Sequence, residues 1–383
     1  MTDFEIRRSF EHLDRLSYEI GPRLAGGDRS RKAADYIREK FEEFGLETEL
    51  QEFEFAEGVL HFRLRSLVLL AAFVPVFFLN PWISILVLAG GYALAFKISY
   101  LIPQKSTANV LGILEPENGA ERRVVLGAHY DSARASKGRR WTILYRLFFL
   151  PVLISFFLLS ILRFLIPGTA WIILMGILAI PYFFVFLLPF WVFSDLGAPG
   201  ANDNASGVAV LLEAARVLSD SPPEETRIDF VAFGAEEQGL KGSKFFAENT
   251  GSFDYLLNLD SVGGGDLLSF VEGNGVIRTH ETDKDLNERL REEFDVEGFW
   301  APFSGHDHVP LLKRGFGATT LTSRDDLEKN ALDQLLEDIF GLENVRTMRH
   351  STLHSLEDVP DDIKLDNIGR SGDIVLSLVG DEE

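Results

Sequence analysis

The sequence contains no cysteine among its 383 residues. Disulfides and thiolate metal ligands are therefore excluded, and any bound metal must be held by histidine and carboxylate side chains. Basic residues are also few, because 37 Lys and Arg stand against 58 Asp and Glu, which gives a formal net charge of −21. We expect no nucleic-acid partner, since the phosphate backbone is bound by basic surfaces. The first residues lack the apolar stretch of a cleavable signal peptide.

Long apolar runs are present in two blocks, residues 62–103 and 143–193, which also contain much of the phenylalanine. Asn80-Pro81 interrupts the first block, and Pro167-Gly168 interrupts the second. Each block is therefore predicted to be a transmembrane hairpin, which gives four membrane helices in all. The alternative is that both blocks form buried core helices.

The two blocks separate three hydrophilic segments, 1–61, 104–142 and 194–383, which we expect to form one discontinuous domain. If both blocks are hairpins, the three segments lie on the same side of a lipid bilayer. Basic residues flank the blocks on that side, whereas the opposite side shows only Arg163. The positive-inside rule then predicts a multi-pass integral membrane protein whose hydrophilic domain is cytoplasmic.

Hydrophobic periodicity in the hydrophilic segments predicts an α/β fold. Helices are expected from residues 28–30 to Gly45 and over Ala205–Leu218. The segment Glu47–Phe55 is strand-like, and apolar runs that are typical of buried strands occupy Arg123–Ala128, Arg227–Phe233 and Tyr255–Leu259. Strands that alternate with helices indicate a mostly parallel, twisted sheet that is sandwiched by helices.

Polar residues that can bind a metal follow three of these strands. His129 and Asp131 follow the strand that ends at Ala128. Glu236 and Glu237 follow the strand that ends at Phe233, and Asp260 follows the strand that ends at Leu259. The carboxyl ends of parallel strands meet at one edge of a sheet, so these side chains are expected to converge. Residues two apart in an extended chain point the same way, which lets Asp131 orient the ring of His129. Of the adjacent glutamates, Glu237 suits a metal and leaves Glu236 free as a general base.

Two more candidates lie away from the strand ends. Asp203 precedes a helix that Asn204 can cap, so the carboxylate of Asp203 remains available to bridge two cations. His354 lies in a late loop. Each candidate alone is equally explained as a cap, a turn residue or a surface residue. Together they suit two zinc ions or similar divalent ions, and the set comprises His129, Asp203, Glu237, Asp260 and His354.

Six motifs in this order carry a resemblance to a known family: GPRLAGG, GAHYDS, PGANDNASG, AFGAEEQGLKGS, LNLDSVGGG and LHSLEDVP. The chain resembles the two-zinc exopeptidases that include leucyl aminopeptidases, aminopeptidase Y and glutamate carboxypeptidases, as a membrane-embedded variant. The resemblance implies that segments 1–61, 104–142 and 194–383 form a zinc peptidase domain. It also implies two Zn²⁺ per chain and hydrolysis of peptide bonds, with aminopeptidase action expected and carboxypeptidase action left open.

The same resemblance implies a role for each site residue. Asp203 corresponds to the ligand that bridges the metals, and Glu236 to the general base. His129 and Asp260 correspond to the partners on one metal, and Glu237 and His354 to those on the other.

Further residues correspond to supporting groups in the family. Asp131 corresponds to the residue that orients His129, and Asp358 to the acidic residue after the last histidine. Asp307-His308 is similar to a Ser-Asp-His element near the pocket, although the roles of His306 and His308 stay open.

Three other functions stay open beside peptide hydrolysis. They are a catalytically silent membrane scaffold, as in nicastrin; one-zinc acyl chemistry, as in glutaminyl cyclases; and transport through four helices. The expected substrate is a peptide, and the lipid bilayer or a cavity between the hairpins is expected to favour hydrophobic or membrane-derived peptides. The sequence does not define the side-chain preference or the oligomeric state.

Overall fold

The protein is described here from a computed structural model. It describes residues 3–73, 81–97, 102–116, 119–136, 168–347 and 352–380, with the single residues 154, 158, 162, 166 and 350. The helices are α1 (Ile6–Asp14), α2 (Asp28–Glu43), α3 (Gly58–Phe73), α4 (Pro81–Lys97), α5 (Gly168–Val192), α6 (Ser206–Asp220), α7 (Lys241–Asn249), α8 (Lys284–Glu292), α9 (His308–Leu312), α10 (Ala331–Phe340) and α11 (Leu365–Val379). The strands are β1 (Glu47–Ala56), β2 (Gln104–Leu114), β3 (Arg122–His129), β4 (Arg134–Ser136), β5 (Phe193–Gly197), β6 (Thr226–Phe233), β7 (Tyr255–Leu259), β8 (Leu267–Asn274), β9 (His280–Glu281), β10 (Glu297–Ala301) and β11 (Ala318–Arg324).

A mixed sheet of nine strands forms the centre of the fold. Its order is β1-β2-β6-β3-β7-β11-β8-β10, and β9 pairs with β8. β3 runs parallel to both β6 and β7, and β7 runs parallel to β11. β2 and β8 are antiparallel to β6 and β11 respectively. The carboxyl ends of β3, β6 and β7 therefore meet at one edge, as predicted.

Both faces of the sheet are buried, which explains why its central strands are continuous apolar runs. In β3, Val124 and Leu126 join one core cluster, whereas Val125 between them joins another. In β6, Phe230 and Val231 divide in the same way. Successive side chains of a strand point to opposite faces, so helices must cover both sides. The predicted α/β sandwich is thus confirmed for the sheet and its covering helices.

The chain divides into two compact units. The first comprises Met1–Glu54, Ser106–Ala133 and Leu196–Glu383, and the second comprises Phe55–Lys105 and Arg134–Asp195. The first unit contains nearly all of the central sheet and every candidate site residue. The second unit contains α3, α4 and α5.

The prediction of two inserted transmembrane hairpins is wrong for the described part of the chain. α3 and α4 have 16 and 17 residues, fewer than the ~20 that a bilayer requires. α5 is longer, with 25 residues, but it packs against α3 and buries Trp171, Tyr182 and Phe186. Among the described residues, no helix combines the length and the apolar character needed to cross a membrane. Most of Leu147–Leu162, the first half of the second predicted hairpin, lies outside the described residues.

Several further predictions depended on those hairpins and are corrected with them. The multi-pass membrane location and the cytoplasmic side were derived from four spans that the described helices do not provide. The same reason removes the basis for a lipid bilayer as partner and for a membrane-embedded variant of the family. It also removes the basis for a preference for hydrophobic or membrane-derived peptides.

Candidate metal centre

The candidate residues converge because three parallel strands end at the same level. His129 is the last residue of β3 and pairs with Phe233, the last residue of β6. Glu236 and Glu237 follow β6 after a turn, in which Ala235 has a φ of 57°. Gly127 of β3 pairs with Asn258 of β7, two residues before Asp260. The register of the sheet therefore brings one imidazole and three carboxylates together.

The first group of possible metal ligands contains His129, Asp203 and Asp260, all buried. The Nε2 atom of His129 lies 3.1 Å from Oδ1 of Asp203 and 3.8 Å from Oδ1 of Asp260. One ligand atom from each residue lies within 4.8 Å of the others, so one cation can contact all three.

The second group contains Asp203, Glu237 and His354, and it shares Asp203 with the first. The Nε2 atom of His354 lies 2.9 Å from Oδ2 of Asp203 and 3.1 Å from Oε1 of Glu237. The two oxygens of Asp203 thus face different histidines. The side chain of His354 remains 46% exposed, which opens this half of the centre to solvent.

Asp358 holds the loop that carries Asp203. Its carboxylate accepts hydrogen bonds from the backbone N–H of Asn202 at 2.7 Å and of Asp203 at 3.1 Å. Its backbone oxygen accepts a third, from the N–H of Ala201 at 3.3 Å. Burial raises the pKa of Asp358 to about 6, and the nearby charge of Asp203 adds to that rise. Asp358 follows His354 by four residues, so it joins the loops of two candidate ligands.

Asp131 is fully buried and holds the turn after β6. Its carboxylate accepts the backbone N–H of Glu236 at 3.0 Å and of Glu237 at 3.3 Å. The ring Nδ1 of His129 lies 3.1 Å from the backbone oxygen of Asp131 and 3.8 Å from its carboxylate. The backbone oxygen of Asp131 therefore contacts His129, whereas its carboxylate holds the turn that carries Glu236 and Glu237.

The acidic groups of the centre strongly perturb one another. Burial raises the pKa of Glu236 well above its usual range, and the neighbouring charges of Glu237 and Asp307 add to the rise. Burial opposes the charged form of His129, yet Glu236 and other adjacent carboxylates raise its pKa well above the usual value. Desolvation likewise opposes the charged form of His354, but the carboxylates of Glu237 and Asp203 raise the pKa of this residue well above its usual value. Such crowding of like charges indicates a place for cations.

The segment between β10 and α9 contributes three buried residues. His306 contacts the carboxylate of Asp260 through Nδ1. His308 contacts Thr320 and Asn274 and touches no candidate ligand. Asp307 is fully buried, and neither of its oxygens has a hydrogen-bond partner in the described part of the chain. Burial raises the pKa of Asp307 to about 7.

Sequence reasoning missed Arg23, which is fully buried beside the centre. Its guanidinium donates to the backbone oxygens of Tyr130, Pro199 and Gly200, each at 2.8 Å. Burial lowers the pKa of Arg23 to about 10, although Asp358 opposes that effect. Only the GPRLAGG motif of the family resemblance contains Arg23, and no other sequence pattern indicates this residue, because an arginine is ordinarily exposed. The guanidinium of Arg23 joins the end of β3 to the loop before Asp203.

The donor set fits zinc. Imidazole nitrogens and carboxylate oxygens are ordinary zinc ligands, and the shared Asp203 gives two neighbouring sites. The Oε1 atom of Glu237 is buried and lies 3.1 Å from Nε2 of His354, so both atoms can contact the same cation.

Comparison with known proteins places the chain among peptidases. It is 48% identical to Aminopeptidase YwaD of Bacillus subtilis (strain 168) over 71 residues, which span 17% of this chain and 15% of that protein. Its fold is similar to the zinc aminopeptidase BSAP of Bacillus subtilis, with a TM-score of 0.60 and 16% identity, covering 100% of this chain and 97% of that one. It is also similar to Bacteroides thetaiotaomicron glutaminyl cyclase, with a TM-score of 0.58 and 15% identity, covering 100% and 99%.

At such low identities the two solved structures show the fold alone. The sequence model described as peptidase family M28 matches residues 187–379, just over half of the chain. The matched part includes Asp203, Glu237, Asp260 and His354, and the remaining candidate, His129, comes from the adjacent strand β3. The chain belongs to peptidase family M28.

Proposed function

We propose that this chain is a zinc aminopeptidase in which two ligand groups that share Asp203 would hold two Zn²⁺ ions. The observation that carries the proposal is the position of this carboxylate, with Oδ1 3.1 Å from Nε2 of His129 and Oδ2 2.9 Å from Nε2 of His354. Asp260 completes the group on the His129 side, and Glu237 completes the group on the His354 side. One relative is named an aminopeptidase and another a probable zinc metalloprotease, which supports the choice of reaction and metal.

The chain's own residues then have separate tasks. When bound, a zinc pair supplies an activated water and polarises the peptide carbonyl. Glu236 takes a proton from the attacking water and delivers it to the leaving amine, as a general base and then a general acid. Asp131 fixes this glutamate by accepting its backbone N–H at 3.0 Å. Asp358 fixes the bridging carboxylate by holding the N–H of Asp203.

The base is tested with Glu236→Gln. The variant should bind zinc as the wild type does and lose about 10²–10⁴-fold in kcat, because proton transfer is removed while the ligands remain. Glu248→Gln provides the matched control, since Glu248 is an exposed glutamate on α7 outside the centre. Full activity in a zinc-loaded Glu236→Gln protein would contradict the role of this residue.

The reaction itself is tested by digesting a peptide library with zinc-loaded protein and reading the products by mass spectrometry. Loss of residues from the amino end supports an aminopeptidase, whereas loss from the carboxyl end indicates a carboxypeptidase. Conversion of amino-terminal glutamine with loss of ammonia and no shortening indicates the cyclase chemistry of the similar glutaminyl cyclase. An intact library and a protein that binds no zinc together indicate a silent scaffold.

A further inference from the structure

His306 is a buried histidine that contacts a candidate metal ligand without belonging to either ligand group. It lies on the segment between β10 and α9, and its side chain is 1% exposed. Its Nδ1 atom lies within hydrogen-bond distance of Oδ2 of Asp260. A carboxylate accepts hydrogen bonds and donates none, so with Asp260 ionised the proton of this contact is on Nδ1 of His306.

The two oxygens of Asp260 have different surroundings. Oδ2 is occupied by His306, whereas Oδ1 lies 3.8 Å from Nε2 of His129, on the side of the first ligand group. The hydroxyl of Ser261 donates to the same Oδ1 at 3.0 Å. A carboxylate rotates about its Cβ–Cγ bond unless both oxygens are engaged. The contact with His306 therefore leaves Oδ1 as the oxygen that faces the ligand group.

We propose that His306 is a positioning residue that holds Asp260 in this orientation and so sets the zinc affinity of the site formed with His129. The inference rests on the proposed two-zinc function. Hydrogen-bonded partners of metal ligands typically contribute 10–100-fold to metal affinity, because they fix the ligand and its charge. The effect should be concentrated on one of the two sites, since Asp260 belongs to the ligand group of His129 and not to the group of Glu237 and His354.

His308 provides a matched control within the same segment. It is fully buried, like His306, and its two ring nitrogens contact Thr320 and Asn274 rather than a ligand. Replacing it removes a buried imidazole two residues away and leaves the contact with Asp260 in place. Any loss that comes merely from removing a buried histidine should therefore appear in both variants.

The experiment measures zinc binding to metal-free protein by competition with a chromophoric chelator, for the wild type, His306→Ala, His306→Asn and His308→Asn. His306→Ala should bind one of two zinc ions about 10–100-fold more weakly. His306→Asn should restore the affinity to within about threefold, because its amide nitrogen replaces Nδ1 as donor to Asp260. His308→Asn should retain both affinities.

The outcomes separate this inference from the proposed function. Unchanged zinc affinities in a folded His306→Ala protein would overturn the inference, and so would an equal weakening in His308→Asn. If His306→Ala does not fold, His306→Gln serves instead, since its longer amide displaces the donor and should weaken one site. Failure to hydrolyse any peptide with both zinc ions bound would overturn the proposed function and leave the affinity result standing.

Discussion

Replacing Asp131 by asparagine tests the support of the turn that carries Glu236. Both oxygens of Asp131 accept backbone N–H groups, of Glu236 at 3.0 Å and of Glu237 at 3.3 Å. Asparagine retains one acceptor and turns an NH₂ group toward the other N–H, so one of the two bonds is lost. A hydrogen bond to a charged group contributes about 1.5–3 kcal/mol in a buried site, and Asp131 is fully buried.

The zinc-loaded Asp131→Asn protein should therefore lose about 2–3 kcal/mol of unfolding free energy. Its kcat/KM should fall about 10–100-fold, because the general base is then held less firmly. The metal-free variant should lose less stability than the zinc-loaded one, because asparagine also removes a negative charge from a crowded acidic cluster. Urea unfolding with zinc and with a chelator, together with steady-state peptide hydrolysis, measures all three quantities.

Asp254→Asn is the control for this experiment. The carboxylate of Asp254 also accepts a backbone N–H, that of Arg123 at 2.8 Å, but the residue is exposed and lies at the opposite end of β7 from Asp260. We expect a change below about 1 kcal/mol and unchanged kcat/KM. If Asp131→Asn behaved like Asp254→Asn in both assays, the argument from the two backbone hydrogen bonds would be refuted.

Two further predictions concern stability. His12 is buried with Nδ1 2.6 Å from the hydroxyl of Tyr36, and burial lowers its pKa to about 4. Because the unfolded chain binds this proton more tightly, the stabilisation by neutral His12 is present above pH 6.5 and is lost as the pH falls toward 4. Lowering the pH from 7 to 4.5 should cost the wild type about 2.5 kcal/mol more unfolding free energy than His12→Gln, as measured by urea unfolding. Parallel curves of stability against pH for the two proteins would contradict this prediction. A Cβ at Gly207 would lie 2.4 Å from the backbone oxygen of Leu259 and 2.5 Å from Oδ1 of Asn204. Gly207→Ala should therefore destabilise the protein by about 1–3 kcal/mol and weaken zinc binding; thermal unfolding and chelator competition check this, and a wild-type melting temperature would argue against it.

The strands that carry the centre could be predicted because their signal is local. RVVLGA, RIDFVAF and YLLNL are short apolar runs bounded by polar residues, and the structure has strands at all three. The predicted helix from residues 28–30 to Gly45 is also confirmed, as α2. Because a parallel sheet aligns its carboxyl ends, the convergence of His129 with Glu237 and Asp260 followed from the strands alone.

The remaining parts of the site depend on contacts between distant residues. His354 belongs to no strand, so no alignment of strand ends predicts its position beside Asp203. Arg23 and His306 act through side-chain contacts that no local pattern reveals. The hairpin prediction failed for another reason: apolar composition indicates burial, but it does not distinguish a bilayer from the protein's own packing around helices as short as α3 and α4.

The hold of Asp358 on three successive amides has a consequence for the order in which the site is assembled. The loop of Asp203 is fixed by a residue that is synthesised about 150 positions later, so a growing chain lacks this support until the portion around Asp358 has emerged. His354 arrives with the same portion. A ribosome-bound chain that already contains His129, Asp203 and Glu237 would therefore present acidic loops without an ordered bridging carboxylate. The capacity to bind a metal pair is delayed until the segment from His354 to Asp358 has been synthesised.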